Sequence, residues 1–222
     1  MIGRGKAARV YKIEGKPHAL ARKEFSPILP VRLWNDFFYS SPHPLATETG
    51  IRYAYWKRRL AHRLCALSAS GVRIPDAVEF SRGGFILRFV EGLFPGIGER
   101  RTVYSAAGKL EIFFNRIGMP AWSFSRLNPF SISNFILKDR EIYVIDYEQS
   151  VPVPDARRNI NYDTVYFDDV RAFIESSKKR IVDKLGERES RLLTEAFERA
   201  RECYAKLDIR PRAITRFINS LS

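Results

Sequence analysis

The chain has 222 residues, 45% of them hydrophobic and 13% aromatic, enough to bury a substantial core in one large domain or two small lobes. No apolar run approaches the roughly 18 residues of a membrane span, and the start lacks the charged, apolar, small-residue order of a secretory signal, so the cytoplasm is the expected location. The net charge of +13 calls for an anionic partner, such as nucleotide, nucleic acid, phospholipid or an acidic protein. Cys65 and Cys203 lie far apart without metal-ligand spacing, which argues against a disulfide.

Gly3 and Gly5 open the chain; they permit backbone N–H groups to approach a phosphate, or simply a tight turn. A strand over Val10–Ile13, a turn over Glu14–Pro17 and a second strand over His18–Phe25 follow. Alternation in the second strand puts Lys23 on one face with Ala19 and Ala21, either into a pocket or into solvent. Residues 26–46 are rich in Pro, Ser and aromatics and read as an irregular connection.

From Thr47 to Ser70 the pattern is helical, with Tyr53, Trp56, Leu60, Leu64 and Leu67 on one face and Arg52, Arg59 and Arg63 on a basic outer face. Gly71 is the expected C-cap. Two strands, Ala77–Phe80 and Phe85–Val90, turn at Gly83-Gly84. Glu91-Gly92 closes the second, and the Gly/Pro-rich 93–98 serves as a linker. The expected boundary therefore separates 1–92 from 93–222.

A helix is predicted over 102–117, then a loop over 118–133. Two apolar strands, Phe135–Leu137 and Ile142–Ile145, are joined by the polar turn 138–141 and read as a hairpin. Asn134 enters it and Asp146 leaves it, so the hairpin should bring the two side chains together. A carboxylate beside an amide oxygen is a hard-oxygen site suited to Mg²⁺; the same residues also suit a surface hairpin with ordinary capping Asx residues. An extended loop over 151–162, a helix over 163–185 and two amphipathic helices over 187–207 and 211–221 complete the chain. Arg210, Arg212 and Arg216 cluster at and after the last junction, as a solvated face or a polyanion-binding tail.

The order of these parts resembles the protein-kinase-like superfamily, especially its small atypical members: lipopolysaccharide-core kinases, Rio kinases and the kinase subunit of the KEOPS complex. The resemblance spans roughly residues 1–175. It implies an α+β, two-lobed kinase-like fold, with a small N-terminal antiparallel sheet plus helix and a reduced, mainly helical C-terminal lobe. By resemblance, Gly3 and Gly5 belong to the phosphate-covering loop and Lys23 reaches the α- and β-phosphates of ATP. Phe89-Val90-Glu91-Gly92 is similar to the hinge whose backbone meets adenine, with Asn134 and Asp146 as the Mg²⁺ ligands. Tyr147-Glu148 stands where Phe-Gly occurs in typical protein kinases, a variation resembling the small-molecule and lipopolysaccharide kinases.

The sequence also departs from the pattern. The catalytic aspartate's position is held by Pro129, with Arg126 and Asn128 nearby, and no acid occurs over 124–134. The only candidate for the helix glutamate that holds the lysine is Glu48, at the helix start. Three functions are therefore expected. One is an ATP-dependent phosphotransferase acting on an anionic acceptor, such as a lipopolysaccharide core, phospholipid or protein. Another is a pseudokinase scaffold that binds nucleotide. The third is a basic protein binding nucleic acid or an anionic membrane surface, in the last case peripheral to the inner surface.

Overall fold

The computed structural model describes residues 3–4, 8–13, 19–125, 128, 131–148, 153–154, 160–161 and 165–220, with the backbone alone at 3–4, 153–154, 160–161 and 219. The chain is α+β, with a small antiparallel sheet and several helices. Strands β1 (Gly3–Arg4), β2 (Ala8–Ile13) and β3 (Leu20–Phe25) form a meander. Helix α1 (Leu29–Phe38) and helix α2 (Glu48–Leu67) come next, then the short β4 (Val72–Arg73) and the hairpin of β5 (Ala77–Ser81) with β6 (Gly84–Arg88). Strand β6 inserts beside β3, and the sheet order becomes β1-β2-β3-β6-β5.

Helix α3 (Arg100–Arg116) leads through two 3₁₀ turns, Trp122–Phe124 and Ser131–Asn134, into β7 (Phe135–Lys138) and β8 (Glu141–Val144). Asp139 and Arg140 both adopt positive φ, 51° and 67°, as a two-residue hairpin turn requires to match strand twist. Strand β4 lies parallel to β8, making a second sheet β4-β8-β7. The short pair β9 (Val153–Pro154) and β10 (Ile160–Asn161) precedes α4 (Phe167–Ser176), α5 (Lys178–Leu185), α6 (Glu187–Ala205) and α7 (Ala213–Ser220).

Helix α2 is the common wall of two cores. Thr47 Oγ1 accepts from Gly50 N–H at 3.1 Å and caps its start. Near that end Ile51, Ala54 and Tyr55 pack with Ala21, Phe85 and Leu87 of the first sheet. Further along, Leu60, Ala61, Leu64 and Leu67 join Val103, Leu110, Phe114, Phe135 and Val144 in the larger core, closed by Leu193, Phe197 and Ala200 of α6. A helix serving two cores has little circumference left for solvent, which explains why it buries Lys57, Arg58 and Arg63.

The expected basic face therefore fails at Arg63, which pairs inside with Asp76 and Glu189 at 3.4 and 3.1 Å. The helix also ends earlier than expected: Ser68 is the C-cap, and Gly71 (φ 73°) serves the turn after it. Residues 26–46 are not wholly irregular, because α1 occupies 29–38 with Pro30 in its first turn, where proline is compatible with a helix. The helix expected over 163–185 is two helices broken at Ser177. Cys65 and Cys203 are free, as expected.

The linker after β6 is held to the hairpin. Leu93 and Leu137 exchange backbone hydrogen bonds of 3.0 and 2.8 Å. Gly92 permits that approach, because a Cβ there would lie 2.4 Å from the Leu137 carbonyl oxygen. Among the described residues no helix is long and apolar enough to cross a membrane.

Candidate functional site

Lys23 lies inside β3, paired to Val10 on one side and Phe85 on the other; Val10 in turn faces Gly3 of β1. Strand alternation works as the sequence implies for Ala21 and Lys23, which are both buried, whereas Ala19 is exposed ahead of the strand. The lysine points to the end of β8. Its Nζ donates to Asp146 Oδ1 at 2.8 Å and to Glu148 Oε2 at 2.5 Å.

The segment Asp146-Tyr147-Glu148 explains this double contact. Tyr147 is buried, stacked on Phe124 at 6.2 Å between centroids and edge-on to Phe114, with the Lys57 ammonium 4.6 Å from its ring centre. Strand β8 has ended at Val144, and with Tyr147 turned into the core its neighbours on either side turn away from it. Asp146 and Glu148 thus both meet Lys23, and the aromatic residue fixes their direction.

Glu148 is fully enclosed and bivalent. Its other oxygen accepts from Arg58 Nη1 of α2 at 2.5 Å. Arg58, with no exposed surface, also donates from Nε to the Pro75 carbonyl at 2.9 Å and from Nη2 to the Ile145 carbonyl at 3.2 Å. Two cations and two carboxylates balance one another, which makes burial of Arg58, Glu148 and Lys23 tolerable. Burial alone would raise the Glu148 carboxyl, but Arg58 and then Lys23 overcome it and hold it at about 2. Burial would likewise lower the Lys23 ammonium, yet Asp146 and Glu148 together raise it above its ordinary value, so it stays charged.

Asn134 stands directly across the hairpin from Ile145, whose N–H donates to its carbonyl oxygen at 2.9 Å. Asp146 is the next residue, so the hairpin brings the backbones of Asn134 and Asp146 together, while their side chains bond to the Ser123 carbonyl and to Lys23 respectively. The Asn134 amide nitrogen donates to the Ser123 carbonyl at 2.7 Å. A carbonyl can only accept, which fixes the orientation of the amide and leaves its oxygen for another partner.

Among the described residues, no cluster of three or more His, Cys, Asp or Glu could hold a metal ion. Mg²⁺ does not require such a cluster, because it commonly takes one or two protein oxygens and keeps water and phosphate for the rest. Asp146 has half of its side chain exposed, so it can serve such an open site.

Other expected positions fall differently. Glu91 is exposed and forms a 3.6 Å ion pair with Lys12, leaving any nucleotide contact there to the backbone. Glu48 is not the partner of Lys23: it pairs with Arg52 one turn along α2 at 2.9 Å. Gly5, Arg126 and Pro129 lie outside the described residues. Asn128 is buried and committed to its own turn, with Nδ2 donating to the Trp122 carbonyl at 3.0 Å. A carboxylate does touch this loop from outside it, because Ser125 Oγ donates to Glu111 Oε1 of α3 at 2.7 Å.

Glu148 and Arg58 are the site residues that sequence reasoning missed. Glu148 had a signal, being two residues from Asp146 and hence on the same side of an extended chain. Arg58 had none, because it sits in the run Lys57-Arg58-Arg59 without a local mark of which cation turns inward. Compared with known proteins, the chain matches no family model and no curated sequence.

Proposed function

We propose that the chain is a two-lobed, kinase-like protein that binds a magnesium nucleotide over Lys23 and Asp146 and transfers its terminal phosphoryl group to an anionic acceptor. One observation carries the reading: the strand lysine and the aspartate that follows the hairpin, 123 residues apart, meet at 2.8 Å. The order of parts supports it. A sheet with Lys23 on its third strand, a long helix behind it, a linker and a hairpin carrying Asn134 and Asp146 follow in the sequence in which kinase-like proteins use them.

In this reading Lys23 supplies fixed positive charge to the nucleotide phosphates, and Glu148 with Arg58 keeps the ammonium in place. Glu148 does for the lysine what a helix glutamate does in typical kinases, with the helix contributing a cation instead. Asp146 and the Asn134 oxygen would hold Mg²⁺, which when bound supplies charge neutralisation at the phosphates. Positioning and electrostatics of this kind are most of what phosphoryl transfer asks of a protein.

A second reading, a pseudokinase that binds nucleotide without efficient transfer, is favoured by one fact: residues 118–133 contain no acid. General-base help is typically worth about 10²–10⁴-fold, so its absence slows transfer without abolishing it.

Thermal denaturation with millimolar ATP and Mg²⁺ tests both readings, because a ligand of the folded state must raise the melting temperature. A rise that disappears in Asp146→Ala is expected, and no rise in the unaltered chain would overturn both. Transfer or hydrolysis of labelled ATP that is lost in Lys23→Ala then supports the enzyme; a rise without turnover supports the pseudokinase.

A further inference from the structure

Helix α1 is apolar over far more of its circumference than it buries. Val31, Asn35 and Phe38 face the protein. Leu29, Leu33 and Phe37, one and two turns apart, are 65%, 58% and 55% exposed, and Trp34 beside them is 49% exposed. Exposed apolar side chains scattered singly are ordinary, but four large ones grouped on one ten-residue helix are not.

The face continues onto α7. Phe38 ties the two helices together: its carbonyl accepts from Arg212 N–H at 2.8 Å and from Thr215 Oγ1 at 2.5 Å, and Ile218 packs on Phe38 and Tyr39. On the solvent side α7 presents Ile214 and Phe217, the latter 62% exposed.

Positive charge borders these apolar residues. Arg32 of α1 is exposed, and a shallow groove at the start of α7 is lined by Ser40, Arg210, Arg212, Ile214 and Arg216. Arg210 is neutralised by Asp208 at 2.9 Å, and Asp36 is the one acid on α1, accepting from the Asn35 amide. Arg32, Arg212 and Arg216 form no ion pair among the described residues. Two joined helices thus offer Leu, Trp and Phe side chains with unneutralised arginines alongside.

We infer that the joined face of α1 and α7 docks on an anionic membrane surface, with Leu33, Trp34, Phe37 and Phe217 entering the headgroup–acyl boundary and Arg32, Arg212 and Arg216 meeting lipid phosphates. Charge complementarity selects this occupant. A protein groove would have to bring acids to the arginines and a dry pocket to the aromatics, whereas an anionic bilayer presents both phosphate and hydrocarbon along one plane. Trp belongs at that boundary because its ring is apolar and its N–H polar. The inference stands independently of the nucleotide site.

Co-flotation of the full chain with vesicles of equal parts phosphatidylglycerol and phosphatidylcholine, against phosphatidylcholine alone, tests it. The chain floats with the anionic vesicles and not with the neutral ones, and its tryptophan emission shifts to the blue, a shift lost in Trp34→Phe. Leu33→Ser with Phe37→Ser lowers partitioning at least about tenfold, since buried apolar area sets the strength of such binding. Arg32→Gln with Arg216→Gln weakens it and reduces its salt dependence. All four positions are exposed, and an unchanged melting temperature shows that the variants fold. Three results would overturn the proposal: no flotation with anionic vesicles, equal flotation with neutral ones, or flotation indifferent to Leu33→Ser/Phe37→Ser. A concentration-dependent dimer, abolished by the same pair of substitutions and accompanied by no flotation, would assign the face to a second copy of the chain instead.

Discussion

Arg58 and Glu148 meet at 2.5 Å with almost no solvent access to either, and through Glu148 the arginine of α2 reaches Lys23 of β3. A helix, a strand and the end of a hairpin are thereby fastened at one carboxylate. Removing one partner leaves an uncompensated buried charge, which typically costs about 3–5 kcal/mol. Glu148→Ala is expected to destabilise by that order, and Arg58→Met by a similar amount. The double variant should lose less than the sum of the two, a coupling measurable by urea denaturation in a double-mutant cycle.

The same carboxylate makes stability depend on acid. Its folded value is depressed from 4.5 to about 2, so its contribution is fully present above 4.5 and is lost as the pH falls from there towards 2. Lys23 has the opposite sign: its raised value means a contribution present below 10.5 and lost only as the pH climbs through the folded value. Urea midpoints measured against pH should fall steeply below 4.5 in the unaltered chain. Glu148→Gln should flatten that acid limb, and Lys23→Met should remove the alkaline one.

Asn134 tests the hairpin end without changing its size. In Asn134→Asp the carboxylate would face the Ser123 carbonyl, acceptor against acceptor, and a hydrogen bond of 2.7 Å would be lost. An unsatisfied buried polar group costs about 1–3 kcal/mol. Lower stability is expected despite the near-identical shape, whereas nucleotide-dependent stabilisation should persist if this side chain serves Mg²⁺, because a carboxylate oxygen takes the place of the amide oxygen. Denaturation with and without ATP and Mg²⁺ reads both.

Gly92 holds the linker against the hairpin. In Gly92→Ala the new methyl would lie 2.4 Å from the Leu137 carbonyl oxygen and 2.5 Å from Ile136 Cγ2, so backbone has to move. Overpacking of this kind typically costs about 1–3 kcal/mol. Hydrogen exchange should show faster exchange at Leu93 and Leu137, the two amides that bridge linker to hairpin.

Much of the arrangement was legible along the chain because it rests on short-range patterns. Alternation around Ala21 and Lys23 turns the lysine inward, and the polar turn at 138–141 forms the hairpin that sets Asn134 beside Ile145 and Asp146. These depend on residues two to twelve positions apart, where strand period and turn chemistry act directly. Helix α1 escaped the same reading because Pro27, Pro30 and the Ser-Pro run after it mark the segment as irregular, although a proline in the first turn is compatible with a helix. The parallel pairing of β4 with β8 escaped it because two residues carry too little pattern.

Which acid holds Lys23 was decided only by the tertiary structure. Glu48, at the start of the helix packed behind the strand, was the candidate in sequence order, yet it spends its charge on Arg52 one turn away in solvent. Glu148 is 125 residues from Lys23 and 90 from Arg58. Only the packing of α2 between two cores, with Tyr147 anchored in the larger one, brings those three charges within reach. The sequence by itself determined that Lys23 sits in a strand and that Asp146 follows a hairpin; the fold determined that the two meet and that Glu148 and Arg58 join them, because partners for buried charge are chosen by enclosure and not by spacing.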